Sequence, residues 1–324
     1  MLSSDRNYFE HIRQRASQEL RHIGSGAVSW GVIGQFLEMV RSSESWKQAG
    51  ANSFTEYVRS LAPLSVATLW RYYAAARHFK QLSEELPKGK IPKSSLESLP
   101  HSVSPENIEL LAKLSRVAPP RVLEPMIERV LDGTMTREEL RRTWQAFRPA
   151  LAGRTARGRG GVIPRVDQKD PQQYDRMLEG VVLNALDVSG PSWTGCETPS
   201  VYRLFLQVAP DPDPGHLVLP SHFNAVAVLR RKPEAPLELH AVECVGTIHD
   251  AAVWTMLSRA EQYCDYVYLA SHPETGSFPR IPKSVGLLGV KADRIVVERG
   301  ATRTKNPARR ADLVAALLGY ALGG

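Results

Sequence analysis

The chain has 324 residues, with 41 Lys+Arg against 34 Asp+Glu, a formal net charge of +7. At 43% hydrophobic and 23% charged it has the composition of a globular protein, which excludes a disordered or membrane-embedded chain. The charge is uneven: residues 1–165 carry 25 basic and 16 acidic side chains, residues 166–324 carry 16 and 18. A length past ~250–300 residues predicts two domains, and the asymmetry predicts that the first binds a polyanion. No apolar run approaches ~18 residues, and the first twenty residues hold no signal-peptide core, so no membrane is expected. Cys196, Cys244 and Cys264 are odd in number and far apart, neither a disulfide framework nor a zinc pair. A reduced cytoplasm of bacterial type is the expected setting.

Residues 1–148 read as an all-α domain, because apolar positions recur at spacings of three and four. Trp30–Val40 is the first strong helix. Ser53 and Glu56 form a capping box for a second, which runs to about Leu61 and stops at Ala62-Pro63-Leu64. Ser65 caps a third helix, Val66 to about Gln81. Ser104-Pro105 opens another. The helix Arg121–Leu131 ends at Asp132-Gly133, and Thr136 with Glu139 caps one carrying Leu140, Trp144 and Phe147 on one side.

Residues 149–169 are rich in Arg and Gly and read as a basic linker. From 170 to 324 the pattern is mixed α/β. A helix runs from Asp170 to about Leu186. Strands follow at Val201–Val208, Asn224–Leu229 and Leu237–Val245. A helix over Ala251–Cys264 then carries Trp254, Leu257, Ala260 and Tyr263 at helical spacing. Two more strands (Tyr266–Ala270, Arg294–Glu298) and a last helix over about Ala308–Ala321 complete five strands in all.

Two helices joined by a short proline-bearing turn, residues 53–80, have the layout of a helix-turn-helix reader of double-stranded DNA. Val66, Leu69, Trp70 and Tyr73 are expected to pack inward. Ser65, Thr68, Arg71, Tyr72 and Ala75 are expected to face outward, where small residues allow close approach and Arg71 can reach guanine or phosphate. The competing reading is a helical bundle whose stripe only packs. In the linker, Arg157-Gly-Arg159-Gly-Gly resembles the core of an AT-hook, with Gly160 where that motif has proline. Arg154, Arg157 and Arg159 are thus candidates for phosphate or minor-groove contact, against a solvated tether.

In the second domain LELHAVECV, Asp250, AEQYCDYVYLA and IPKSVGLLGV stand in that order. The text and the order helix, three strands, helix, strand resemble the PD-(D/E)xK nuclease superfamily (the restriction-endonuclease-like fold), in particular its MmcB-type DNA-repair branch. The resemblance covers roughly residues 171–300. It implies two carboxylates holding Mg²⁺, which would activate a water, and a lysine beside them. By the same resemblance Glu243 is the acidic member of E-x-K, Glu179 an acidic residue of the first helix, and Gln262 a glutamine of the following helix.

Two positions depart from that pattern: Asn224 stands where an aspartate belongs, and Val245 where the lysine belongs. Arg259 or Lys232 could replace the lysine, and His240 and His249 are further metal or base candidates, against structural roles for both histidines. The expectation is a DNA-binding protein whose nuclease-like domain no longer cuts and needs no cofactor, acting in repair, mobile-element maintenance or defence. Such a domain could instead hold a protein partner. The alternatives are an active Mg²⁺-dependent endonuclease with a rearranged site, or a protein-interaction scaffold. No nucleotide-binding glycine loop, nucleophile elbow or complete zinc site is present.

Overall fold

A computed structural model describes residues 10–18, 29–61, 64–85, 96–151, 165–210, 222–246, 250–273 and 281–321. The chain divides into two compact units, Met1–Trp144 and Gln145–Gly324. Among the described residues no helix is long and apolar enough to cross a membrane.

The first unit is helical: α1 (residues 10–18), α2 (Trp30–Ser42), α3 (Phe54–Ser60), α4 (Val66–Glu85), α5 (Pro105–Leu114), α6 (Pro120–Leu131) and most of α7 (Arg137–Phe147). The predicted caps are the ones that form. Ser53 Oγ accepts the Glu56 N–H at 3.1 Å, and Glu56 reaches back to the Asn52 N–H at 2.8 Å. Thr136 Oγ1 accepts the Glu139 N–H at 3.2 Å, and Glu139 reaches back to the N–H of Thr136 itself at 2.7 Å. Ile12, Ile33, Leu37, Val58 and Leu69 form a core shared by α1 to α4.

Helix α4 is buried along two stripes where its sequence suggests one. Leu69 and Tyr73 face the core formed with α3. On another side α2 comes so close that a Cβ on Gly34 would lie 2.5 Å from the Tyr72 carbonyl oxygen. Packing against both neighbours changes two expectations. Ala75, expected outside, is 2% exposed, and Val66, expected inside, is 36% exposed.

The second unit begins earlier than the composition suggests. Phe147 at the end of α7 sits against Gly180, where a Cβ would lie 2.6 Å from its ring. Ala150 and Leu151, placed by composition in the linker, are buried in a 3-10 turn packed on α8 (Pro171–Ser189). Burying this apolar trio outweighs the arginines and glycines that follow. Residues 152–164, including Arg154, Arg157 and Arg159, lie outside the described residues.

Six strands form one mixed sheet in the order β1 to β6: Val201–Val208, Phe223–Arg230, Glu238–Val245, Tyr266–Ser271, Gly286–Lys291 and Arg294–Arg299. β1, β2 and β3 are antiparallel neighbours. β3 to β4 is a parallel step through α9 (Asp250–Tyr263), as a parallel pair requires. β4 and β5 are also parallel, and β6 returns antiparallel. β5 is a strand beyond the five expected. Its two glycines hide it, and pairing on both sides makes it. Leu239, Ala241 and Val245 pack with α9 and with Leu313 and Leu317 of α10 (Arg310–Ala321). On the alternate face His240 meets Trp193, in the turn after α8. Trp254 of α9, expected on the packed stripe, is 43% exposed, while Leu257, Ala260 and Tyr263 are buried.

Candidate functional site

Hairpin geometry sets the site. Ala225 stands opposite Val242, so the next step brings Asn224, at the start of β2, level with Glu243, near the end of β3. The Asn224 N–H points at Glu243 Oε2, 3.5 Å away. Asn224 Oδ1 accepts the Cys244 N–H at 2.9 Å. Asn224 Nδ2 donates to Glu179 Oε1 of α8. The three residues taken from the resemblance, far apart in sequence, therefore meet.

Gln207 joins them, and sequence reasoning missed it. Its Nε2 donates to the same Glu179 oxygen at 2.8 Å. It does so from a left-handed backbone, φ +56°, at the next-to-last residue of β1, between the pairs Leu206↔Ala225 and Val208↔Phe223. Nothing in the run VYRLFLQV marks this position.

Glu243 is 2% exposed. Burial raises its carboxyl to about 8, against the lowering effects of the Asn224 N–H and of Arg259. At neutral pH it keeps its proton. Burial also raises Glu179, opposed by the donors Gln207 and Asn224 and by the charge of Arg176. Arg259 of α9 lies with its guanidinium 4.9 Å from the centre of the Phe223 ring. Nearby His222 is held neutral by burial and by the charges of Arg259 and Arg176.

Other candidates stand elsewhere. Val245, in the lysine position of E-x-K, is packed in the apolar core with Val253 and Leu257. Gln262 is exposed in the last turn of α9, and its carbonyl accepts the Arg309 N–H. Parallel strands joined by a helix put that turn level with the start of β4, whereas Glu243 is level with Leu269 farther along. Gln262 is therefore not brought to the cluster. Lys232 lies in the β2–β3 turn, at the opposite end of the hairpin from Asn224 and Glu243. His240 is fully buried, stacked 4.5 Å from Tyr266 and paired through Nε2 with Glu238 at 3.2 Å, a packing role. His249 lies outside the described residues.

The residues present do not fit Mg²⁺. That ion takes hard oxygen ligands in near-octahedral array. Here the amide directs an N–H, not an oxygen, at Glu179, and its oxygen is occupied by a backbone N–H. Among the described residues no group of three or more His, Cys, Asp or Glu side chains is arranged to hold a metal.

In the first unit, Ser65 and Thr68 are turned on each other. Their hydroxyls lie 2.8 Å apart, and Ser65 Oγ caps the Thr68 N–H at 3.1 Å. Arg71 is exposed. Tyr72, expected on the outer face, is partly buried, with its ring 6.5 Å from that of Trp30. Ala67, Arg71, Ala74 and Arg77 are all exposed along α4 at helical spacing.

No family model matches the chain, and no curated protein matches it. Among solved structures, a protein of unknown function from Silicibacter pomeroyi is similar at 22% identity over 37% of this chain and 75% of that one, with a TM-score of 0.28. At that score the likeness assigns neither fold nor function.

Proposed function

We propose that this is a DNA-binding protein with a helix-turn-helix first unit and a restriction-endonuclease-like second unit that does not cut. The observation that carries the binding half is the open face of α4. Ala67 and Ala74 leave room for a close approach, and Arg71 and Arg77 project between and beyond them. Ser65 serves this face by capping the helix through the Thr68 N–H, with the Thr68 hydroxyl turned on it. The basic excess of residues 1–165 supplies long-range attraction. For the second unit, the amide of Asn224 is committed to Glu179, burial favours the protonated form of Glu243 and Val245 is apolar, which supports a site that neither binds Mg²⁺ nor orients a water.

The test is fluorescence anisotropy of the whole protein on labelled duplex across a salt series. Affinity should fall as salt rises, with a log–log slope of about −0.9 per phosphate neutralised. Arg71→Ala should cost about tenfold on the preferred sequence, within the ~1–3 kcal/mol of a base contact, and flatten the preference. Substituting Arg157 and Arg159 should weaken all sequences alike. Binding that is absent, or indifferent to salt, removes the proposal.

A working endonuclease is the second reading, and Arg259 is the observation that favours it, because its charge acts on Glu243. Mg²⁺- or Mn²⁺-dependent cleavage of plasmid or single-stranded DNA, abolished in Glu243→Ala, would establish it over the first.

A further inference from the structure

A divalent cation held between carboxylates has a mechanical task besides a chemical one, since it draws together groups that otherwise repel. In the second unit that task has another agent. Glu179 Oε1 receives two N–H donors, from Asn224 Nδ2 and from Gln207 Nε2 at 2.8 Å. The other end of the same Asn224 amide takes the Cys244 N–H at 2.9 Å, and the Asn224 backbone N–H faces Glu243 at 3.5 Å. One small side chain thus ties α8 to both strands of the β2–β3 hairpin. It does so at the place where Glu179 comes near enough to raise the proton affinity of Glu243.

We propose that the Asn224 amide stands in place of a divalent cation as the cross-link between α8 and the β2–β3 hairpin, so that this unit is assembled without metal. An amide suits the position because its two ends have opposite polarity. The NH₂ end meets a carboxylate and the oxygen end meets a backbone N–H, so both are satisfied without a counter-ion. Aspartate has the same shape but puts a second oxygen where the N–H now stands, facing Glu179, so that at a pH where both are ionised only a cation can join them. An aspartate chain would then need a cation where this chain needs none. Glu179, by contrast, acts here only as an acceptor. A glutamine in its place keeps one oxygen for both N–H groups. The inference concerns what holds the second unit together, and it stands whether or not the chain binds DNA.

The test is scanning calorimetry of the full-length chain in EDTA and in millimolar MnCl₂. The wild-type transition of the second unit should not move between the two. Glu179→Gln should unfold close to wild type in both buffers. Asn224→Asp should unfold lower in EDTA, by on the order of 5 °C, and regain most of that loss saturably with Mn²⁺. A wild type that loses stability in EDTA, or gains it saturably with Mn²⁺ in a way Glu179→Gln abolishes, overturns the proposal, because a cation would already be the cross-link. Asn224→Asp as stable as wild type in EDTA also overturns it, as does a destabilised Asn224→Asp that ignores Mn²⁺. Should Asn224→Asp not fold in either buffer, the wild-type and Glu179→Gln arms decide alone.

Discussion

Strand β3 carries two buried glutamates with opposite proton affinities, five positions apart. Glu238, at its start, is lowered to about 2, first by the His240 hydrogen bond and then, against the cost of burial, by Arg231 at 3.1 Å. Glu243, near its end, is raised to about 8 because burial outweighs one backbone N–H and the more distant charge of Arg259. Residue type and strand are shared; Glu243 lies deeper, and the partners differ. A buried carboxylate stays charged where donors converge on it, and takes up a proton where they are committed elsewhere. The side-chain donors near Glu243 are committed to Glu179, so this polar cluster is held by its own hydrogen bonds.

The largest effect should come from removing the well-partnered acid. Glu238→Ala strips the acceptor from His240 Nε2, on a ring that is fully buried and whose Nδ1 has no hydrogen-bond partner among the described residues. A loss of about 2–4 kcal/mol is expected, measured by denaturant unfolding of the second unit. A loss under ~0.5 kcal/mol would mean that stacking on Tyr266, 4.5 Å away, holds His240 by itself. The pair also has a pH signature. Because Glu238 binds its proton more weakly folded than unfolded, its contribution is complete above the unfolded value of about 4.3 and fades as pH falls toward 2.

Glu243 has the opposite sign. Folded, it holds a proton that the unfolded chain releases above about 4.3, so stability falls as pH rises from there to about 8 and then levels. Glu243→Gln removes the titration. Relative to wild type it should gain about 1–3 kcal/mol between pH 4 and pH 8, within the ~1.4 kcal/mol per pKa unit that linkage allows. Equal pH slopes in the two proteins would show that Glu243 is already ionised, and the comparison of the two acids would collapse.

Local chemistry was readable in the sequence, and meetings between distant elements only partly. Both capping boxes and strands β1 to β4 follow from side chains within a few positions of each other. Glu179, Asn224 and Glu243 lie together because alternation and hairpin register bring Asn224 level with Glu243 and α8 supplies Glu179. Helix α4 was half legible. A single apolar stripe is visible in its sequence, but the second is created by the approach of α2 at Gly34, which no periodicity within α4 encodes. Gln262 failed for the reverse reason: its residue type matched, but the direction of α9 puts it at the helix's other end. β5 and the buried turn at Ala150 and Leu151 were hidden by glycines and arginines that tertiary packing overrides.

Gln207 sharpens the comparison at its finest scale, since it is the donor that Glu179 has and Glu243 lacks. Holding that donor in place requires φ +56°, which costs an L residue about 1–2 kcal/mol. The bond it makes, 2.8 Å to Glu179, is worth a similar amount, a little more if the acceptor is ionised. Gln207→Gly gives up the bond and releases the strain, so unfolding should shift by less than about 0.5 kcal/mol either way. Gln207→Ala gives up the bond and keeps the strain, and should cost about 1–2 kcal/mol. The gap between the two variants measures the strain, and the sign of the glycine variant tells which is larger. If alanine and glycine behave alike, the left-handed backbone at this position carries no strain, and both variants report the lost bond alone.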